Sequence, residues 1–314
     1  MKLQQLRFLI EVADSGLNVT VAAEHLFTSQ PGVSKQVRQL EDELGITVFE
    51  RNGKRFTGIT AAGATVIQAA RKVLLEAENL RRVADELRDD SIGTLTIATT
   101  HTQARYVLPR VVAEFTRRYP KVRLSIREGD PPHVTAMVLR GEADIGIATE
   151  SLAEEQGLVT MPAYSWNHLV IAPADHPLLK TTLTLKQVAK HPLITYDPAF
   201  SGRSRIDQAF GRAGLTPNIV LTAVDSDVIK TYVSLGLGVG IIAEMAFDAD
   251  RDVGLAAVNA GNLFGANATR VGLRRGATSR KFALEFLELL SPQLTVTAVG
   301  AASRSDSDSA SYDI

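Results

Sequence analysis

Leu3, Leu6, Ile10 and Ala13 recur at intervals of 3, 4 and 3 residues, the spacing of one helix face, and Gly16 ends that helix. Asn18 or Thr20 caps a second, short helix that carries Ala22, Ala23 and Leu26 inward. After a tight turn at Phe27–Thr28, Ser29 caps a third helix, with Pro31 in the first turn, where a missing N–H is harmless. Val33, Val37, Leu40 and Leu44 form its buried side, Gln30, Ser34 and Arg38 share the opposite side with Lys35 beside them, and Gly45 closes it. Val48, Phe49 and Phe56 then flank Arg51-Asn-Gly-Lys-Arg55, the pattern of a small hairpin around an Asn-Gly turn.

The pattern then lengthens. Val66, Ala70, Val73, Ala77, Leu80, Ala84 and Leu87 are spaced 4, 3, 4, 3, 4 and 3, three heptads of apolar positions on a helix capped near Thr60. Such a seam needs a partner, a second copy being the simplest; packing on its own domain is the alternative. From Gly93 strand-like and helix-like segments alternate in the order β-α-β-α-β, which implies a parallel sheet with right-handed crossovers. A second α/β set follows Pro162, and the chain returns to the first with a strand at Thr269–Leu273 and a helix at Arg280–Leu290. The expected divisions are a helical head with a hairpin at 1–59, a linker helix at 60–90 and a two-lobed α/β domain at 91–294. Its lobe I covers 91–162 and 268–292 and lobe II covers 163–267; a small, polar tail at 295–314 is expected to be disordered.

Composition narrows the classes. The chain has 314 residues with 34 basic against 35 acidic side chains and no cysteine, so disulfides, thiolate metal sites and thiol nucleophiles are excluded. No stretch approaches the ~18–20 apolar residues that span a bilayer, and no signal-peptide pattern opens the chain, so a cytoplasmic location without membrane partners is expected. Residues 1–60 hold 7 basic and 7 acidic side chains, so a DNA-binding surface has to be local. One is visible: no acidic residue lies between His25 and Leu40.

Two short helices joined by a tight turn, the second presenting Gln, Ser, Lys and Arg, meet the needs of a helix-turn-helix. Thr28, Ser29, Gln30, Ser34, Lys35 and Arg38 are the candidate groove-facing residues, and Arg51, Lys54 and Arg55 at the hairpin the candidate phosphate contacts. A generic helical subdomain with a solvated face is the plainer alternative. The sharpest ligand candidate is Thr99-Thr100-His101-Thr102-Gln103, where the first strand meets its helix and hydroxyls and an amide add donors without adding charge. It suits a small anion, against ordinary capping. Thr149 ends the strand at the equivalent edge, Ser201 opens a helix of the second lobe, and Trp166 lies at a crossover, either packing in the core or lining the cleft. No catalytic or cofactor motif survives inspection: Gly236–Gly240 follows a helix rather than a strand, and the six histidines have no metal-ligand spacing.

Ala22-Ala-Glu-His-Leu-Phe-Thr-Ser-Gln-Pro-Gly-Val-Ser34, followed by Gln39-Leu-Glu-Asp-Glu-Leu-Gly45 and Val48-Phe-Glu-Arg51, closely resembles the head of LysR-type transcriptional regulators. Ile97–Tyr106, Ile147–Thr149, Gly214–Pro217 and Asp227–Gly240 resemble the CysB/Cbl-like subgroup, regulators of sulfur assimilation. The resemblance, which extends to about residue 292, implies a winged helix-turn-helix, a linker helix and a two-lobed effector domain like a periplasmic binding protein. It implies an effector site at Thr100, Thr102, Gln103, Thr149 and Trp166, with Ser201 where relatives carry threonine. It further implies promoter DNA, RNA polymerase and further copies of the chain (dimer or tetramer) as partners, no cofactor, and a small anionic inducer such as acetylserine, sulfate or another sulfur metabolite. Control of sulfonate or sulfate-ester use, and anion binding without DNA regulation, are the alternatives left open.

Overall fold

The computed structural model describes residues 1–314 except 54, 87–90, 150–151, 153–154, 199, 201 and 306–314. Two compact units form, Met1–Arg88 and Asp89–Ile314.

In the first unit, α1 (Leu3–Asp14), α2 (Val19–His25) and α3 (Gln30–Leu44) precede a hairpin of β1 (Phe49–Asn52) and β2 (Arg55–Ile59), and α4 (Ala61–Glu86) follows. Local chemistry starts the helices as expected: the Asn18 side chain accepts from Thr20 and Val21 N–H, and Ser29 accepts from Gly32 N–H. The buried faces differ from the expected ones. In α1 the core takes Leu6, Phe8, Leu9 and Val12, while Leu3 is exposed. Because α1 is apolar on more than one face, its packing partners choose between stripes. In α3 Glu41 rather than Leu44 completes the buried side.

The first turns of α4 sit on this core, with Ile67 and Ala70 buried and Arg71 donating to Asp14 across to α1. Thr60 pins the helix start by donating to Thr47 O at 2.7 Å and accepting from Gly63 N–H at 2.9 Å. A Cβ on Gly63 would lie 2.2 Å from Val48 O, so only glycine permits this approach. Farther along, Val73, Leu80 and Val83 are exposed, Leu80 at 71%. The single-domain packing alternative thus holds for the first turns alone; Leu87 lies outside the described residues.

The second unit has two five-stranded sheets, ordered β4-β3-β5-β12-β6 and β11-β7-β10-β8-β9. The first holds β3 (Gly93–Thr99), β4 (Val122–Glu128), β5 (Ile145–Ala148), β6 (Leu158–Trp166) and β12 (Asn267–Arg274). The second holds β7 (His168–Pro173), β8 (Leu193–Tyr196), β9 (Ile219–Ala223), β10 (Val239–Ala243) and β11 (Leu255–Asn259). The expected parallel sheets are mixed, because β12 runs antiparallel to β5 and β6, and β7 antiparallel to β10 and β11. These two are the strands by which the chain enters one lobe and re-enters the other. β6 and β11 were not expected, and β6 keeps residues 163–166 in lobe I, where lobe II was expected to begin.

Helices cover both sheets: α5 (Leu108–Arg118), α6 (Pro131–Leu139) and α11 (Lys281–Leu290) in lobe I, with α7 (Leu185–Val188), α8 (Arg203–Arg212), α9 (Ser226–Ser234) and α10 (Gly261–Phe264) in lobe II. In its described part the tail departs from its expected disorder: α12 (Val296–Ser305) forms, with Thr295 accepting from Ala298 N–H and Val299 buried in the lobe I core, while 306–314 lie outside the described residues. A single well-placed valine and small neighbours suffice to dock a segment whose composition reads as disordered. Among the described residues no helix is long and apolar enough to cross a membrane.

Candidate functional site

In the first unit a groove of about 630 Å³ is lined by Gln30, Pro31, Ser34, Lys35, Arg38, Gln39, Asp42, Arg51, Gly53 and Phe56. It joins the polar face of α3 to the hairpin. Thr28, Ser29 and Arg55 lie outside that lining, with Ser29 occupied as the α3 cap, and Lys54 is outside the described residues. Arg51 was expected to hold a phosphate. Its guanidinium instead pairs with the buried Glu41, whose other oxygen accepts from Val48 N at 2.8 Å and Phe49 N at 3.1 Å, and it stacks 5.1 Å over the Phe56 ring. That charge ties the hairpin to α3.

In the second unit a cavity opens between the lobes, lined by Thr100, His101, Thr102, Gln103, Trp166, Tyr196, Phe200, Val224 and Ala243. β3 delivers Thr100, and a π-helical turn over Gln103–Val107 leads into α5. Thr100 and Gln103 are 3% and 2% exposed. No carboxylate lines the space, and His101 is its one basic side chain among the described residues. The enclosed volume is about 10 Å³, room for roughly one water. An anion larger than that enters only when the lobes part.

Polar side chains around the cavity are mutually engaged. Trp166 Nε1 donates to Thr269 Oγ1 at 3.1 Å, Gln103 Nε2 donates to the same oxygen at 3.4 Å, and Tyr164 donates to Gln103 Oε1. The Tyr196 hydroxyl accepts from Ala243 N at 2.9 Å and lies 2.6 Å from Ser226 Oγ, both within lobe II. Thr149 is buried nearby but does not line the cavity; its Oγ1 has no hydrogen-bond partner among the described residues. Ser201 lies outside the described residues. Its neighbour Gly202 starts α8 at φ +80°, where a Cβ would meet His168 Nε2 at 2.4 Å and Trp166 at 3.0 Å.

At the cleft rim Tyr106 of lobe I donates to Asp227 Oδ1 of lobe II at 2.6 Å, and Arg105 Nε donates to Oδ2 at 3.3 Å. Burial pushes the Asp227 carboxyl up, yet the Tyr106 hydrogen bond, Lys230 and Arg105 hold it below the usual range. His101, Asp225 and Asp227 have metal-ligand spacing, but Asp225 caps α9 and Asp227 is already met by two cations. Tyr164, Tyr196 and Thr269 gave no local sequence signal, since their hydrogen bonds reach side chains at least 30 residues away.

A basic-faced helix-turn-helix followed by a two-lobed α/β unit with an interlobe cavity defines a ligand-responsive regulator. Residues 3–64 match the family described as "Bacterial regulatory helix-turn-helix protein, lysR family", and residues 88–295 match "LysR substrate binding domain". The chain belongs to the LysR family of DNA-binding transcriptional regulators and is not an enzyme. It is 51% identical over 305 residues to the HTH-type transcriptional regulator SsuR of Burkholderia cenocepacia, covering 97% of this chain and 99% of that one. Identity to CysB of the same organism is 48% over 310 residues, covering 98% and 99%. Identity to cbl of Escherichia coli is 48% over 297 residues, covering 94% of each. Among solved structures, the cofactor-binding domain of the Cbl transcriptional regulator aligns with a TM-score of 0.65 at 48% identity, covering 67% of this chain and 93% of that one.

Proposed function

We propose that this chain is a cytoplasmic regulator of sulfur-assimilation and cysteine-biosynthesis genes, controlled by a small anion such as acetylserine, sulfate or a related sulfur metabolite. One observation carries the reading: among the described residues the interlobe cavity is walled by hydroxyls, an amide, the His101 imidazole and aromatic rings and by no carboxylate. Hydroxyl, amide and imidazole donors in a space without carboxylates suit an anion, with no acidic group to repel it. The near-full-length identity to proteins named CysB and Cbl supports the sulfur assignment. Thr100, Thr102, Gln103, Thr149, Trp166 and Ser201 are assigned to the effector. Binding shifts an equilibrium between lobe arrangements, and it regulates only through unequal affinity for them.

Thr28, Ser29, Gln30, Ser34, Lys35 and Arg38 are assigned to the major groove, Lys54 and Arg55 to phosphates, and Arg51 to holding the wing. Self-association is supported by the exposed Val73, Leu80 and Val83 on α4 and by Val228 and Tyr232 on α9 with Leu235 at its C-cap. RNA polymerase contact is part of the same proposal.

Two results are expected. By calorimetry, Thr102→Ala weakens sulfate or acetylserine binding roughly tenfold, as for one lost hydrogen bond to a charged ligand, and leaves basal DNA affinity intact. Unchanged affinity would remove Thr102 from the site, and a response confined to an organosulfonate would move the assignment to sulfonate use. In gel shifts against salt, Arg55→Ala weakens binding to all duplexes alike and lowers the salt slope by about 1. Gln30→Ala instead erodes discrimination, by about 1–3 kcal/mol at one base pair. Equal effects of both on specific and random DNA would refute that division.

A further inference from the structure

Two described residues other than glycine have left-handed backbone, Leu17 at φ +67° and Phe27 at φ +50°. Leu17 packs against the core of the first unit, which offsets its strain. Phe27 has no such return: the residue is 98% exposed. It follows α2 at the position where Thr28 N–H bonds Ala23 O at 2.9 Å and Phe27 N–H bonds Glu24 O at 3.1 Å. Helices ending this way favour glycine or asparagine at that position, because a Cβ crowds the neighbouring carbonyl. A bulky side chain is disfavoured there twice over, by backbone strain and by an apolar ring left in water. Single exposed apolar residues are ordinary, and Val253 is an example. What sets Phe27 apart is exposure joined to strain at the head of α3, next to Thr28 and the Ser29 cap, in a stretch without acidic residues from His25 to Leu40. Strain kept without a packing benefit points to a partner outside the fold.

We infer that Phe27 is a DNA-contact residue whose ring packs on apolar carbons of the duplex, a thymine methyl or deoxyribose, as α3 enters the groove. The inference rests on the proposed groove docking of α3. Its cost in the free protein is recovered when DNA covers the ring. Removing it is therefore a trade: a more stable head and a weaker complex.

The test uses the full chain and a duplex enriched by the wild type from a random-sequence pool, read by fluorescence anisotropy alongside thermal unfolding. Phe27→Asn is expected to raise the melting temperature of the head by about 4–8 °C. It weakens duplex binding about tenfold, the scale of a buried ring, with an unchanged salt slope because no phosphate is lost. Phe27→Tyr keeps binding within about twofold. Uracil in place of thymine weakens the wild type but not Phe27→Asn if the methyl is the contact; equal behaviour of the two duplexes assigns the deoxyribose. Wild-type affinity in Phe27→Asn, with Gln30→Ala weakened, would overturn the Phe27 contact and leave α3 docking in place. Wild-type affinity in both variants would overturn the docking as well. Destabilisation by both Phe27→Asn and Phe27→Gly would show that the ring serves the fold, which also overturns the inference.

Discussion

Glu41→Ala is expected to destabilise the helix-turn-helix unit by about 3 kcal/mol or more, the largest single loss in that unit. The carboxylate is buried, accepts the backbone N–H groups of Val48 and Phe49, and pairs with Arg51. Truncation strands two buried donors and a partly buried guanidinium together. The consequences run from packing to recognition, since the same contacts hold β1 against α3 and set where the wing stands beside the groove. Hydrogen exchange on the full chain reads the effect locally. Amides of residues 1–64 lose protection, those of Val48 and Phe49 first, while β3, β5 and β12 of the effector unit exchange as before. Glu41→Gln keeps one acceptor and falls between. Wild-type protection in Glu41→Ala would show that solvent replaces the carboxylate freely, contrary to its burial.

The second large effect is on pH. His168 opens β7 with its ring edge-on to Trp166 and Phe264; Nδ1 lies 3.4 Å from Asn267 Nδ2, and Nε2 has no hydrogen-bond partner among the described residues. Burial, helped by the nearby positive charge of Arg205, lowers its pKa to about 3. In the unfolded chain an ordinary histidine takes up its proton near pH 6.5. Between those values the unfolded state holds the extra proton, so stability rises with pH and falls as pH drops below 6.5, by about 1.4 kcal/mol per unit. At pH 4.5 the loss is of order 3 kcal/mol. Denaturant titrations of wild type and His168→Asn from pH 7 to 4.5 check it. The variant should show about one proton less in the slope. Equal slopes would mean that His168 protonates inside the fold.

How much of this was legible in the sequence follows the range of the forces. The reading head was: Asn18, Ser29, Pro31 and Gly45 act on their own or adjacent turns, so helix boundaries there came within a residue or two. β8 and β10 belong to the α/β set expected after Pro162, and they are legible because a fully buried strand shows as a short apolar run between turn residues. β6 was missed because its alternation carries proline and polar residues, and its identity comes from pairing with β12 about a hundred residues later. The face of α1, the burial of Glu41 and the docking of α12 escaped for the same reason.

The candidate site divides likewise. Thr100, Thr102, Gln103 and Trp166 were picked out by residue type and position at strand ends, and they do meet at one cavity with Phe200. Nothing in the chain order announces Tyr196, Thr269 or the Tyr106–Asp227 tie: the first two find partners 30 and 103 residues away within their own lobes, and the third exists only once the two lobes face each other.

The sequence by itself determined the family, the order of the elements in the head and the helix that presents Gln30, Ser34, Lys35 and Arg38, all of which depend on side chains within a turn or two of one another. The tertiary structure alone decided which cations stay free for a partner, which polar groups are already engaged inside, and how little room the closed cleft leaves. Those are sums over neighbours brought together from distant parts of the chain, and burial, which sets their electrostatic weight, belongs to the folded molecule rather than to any segment of it.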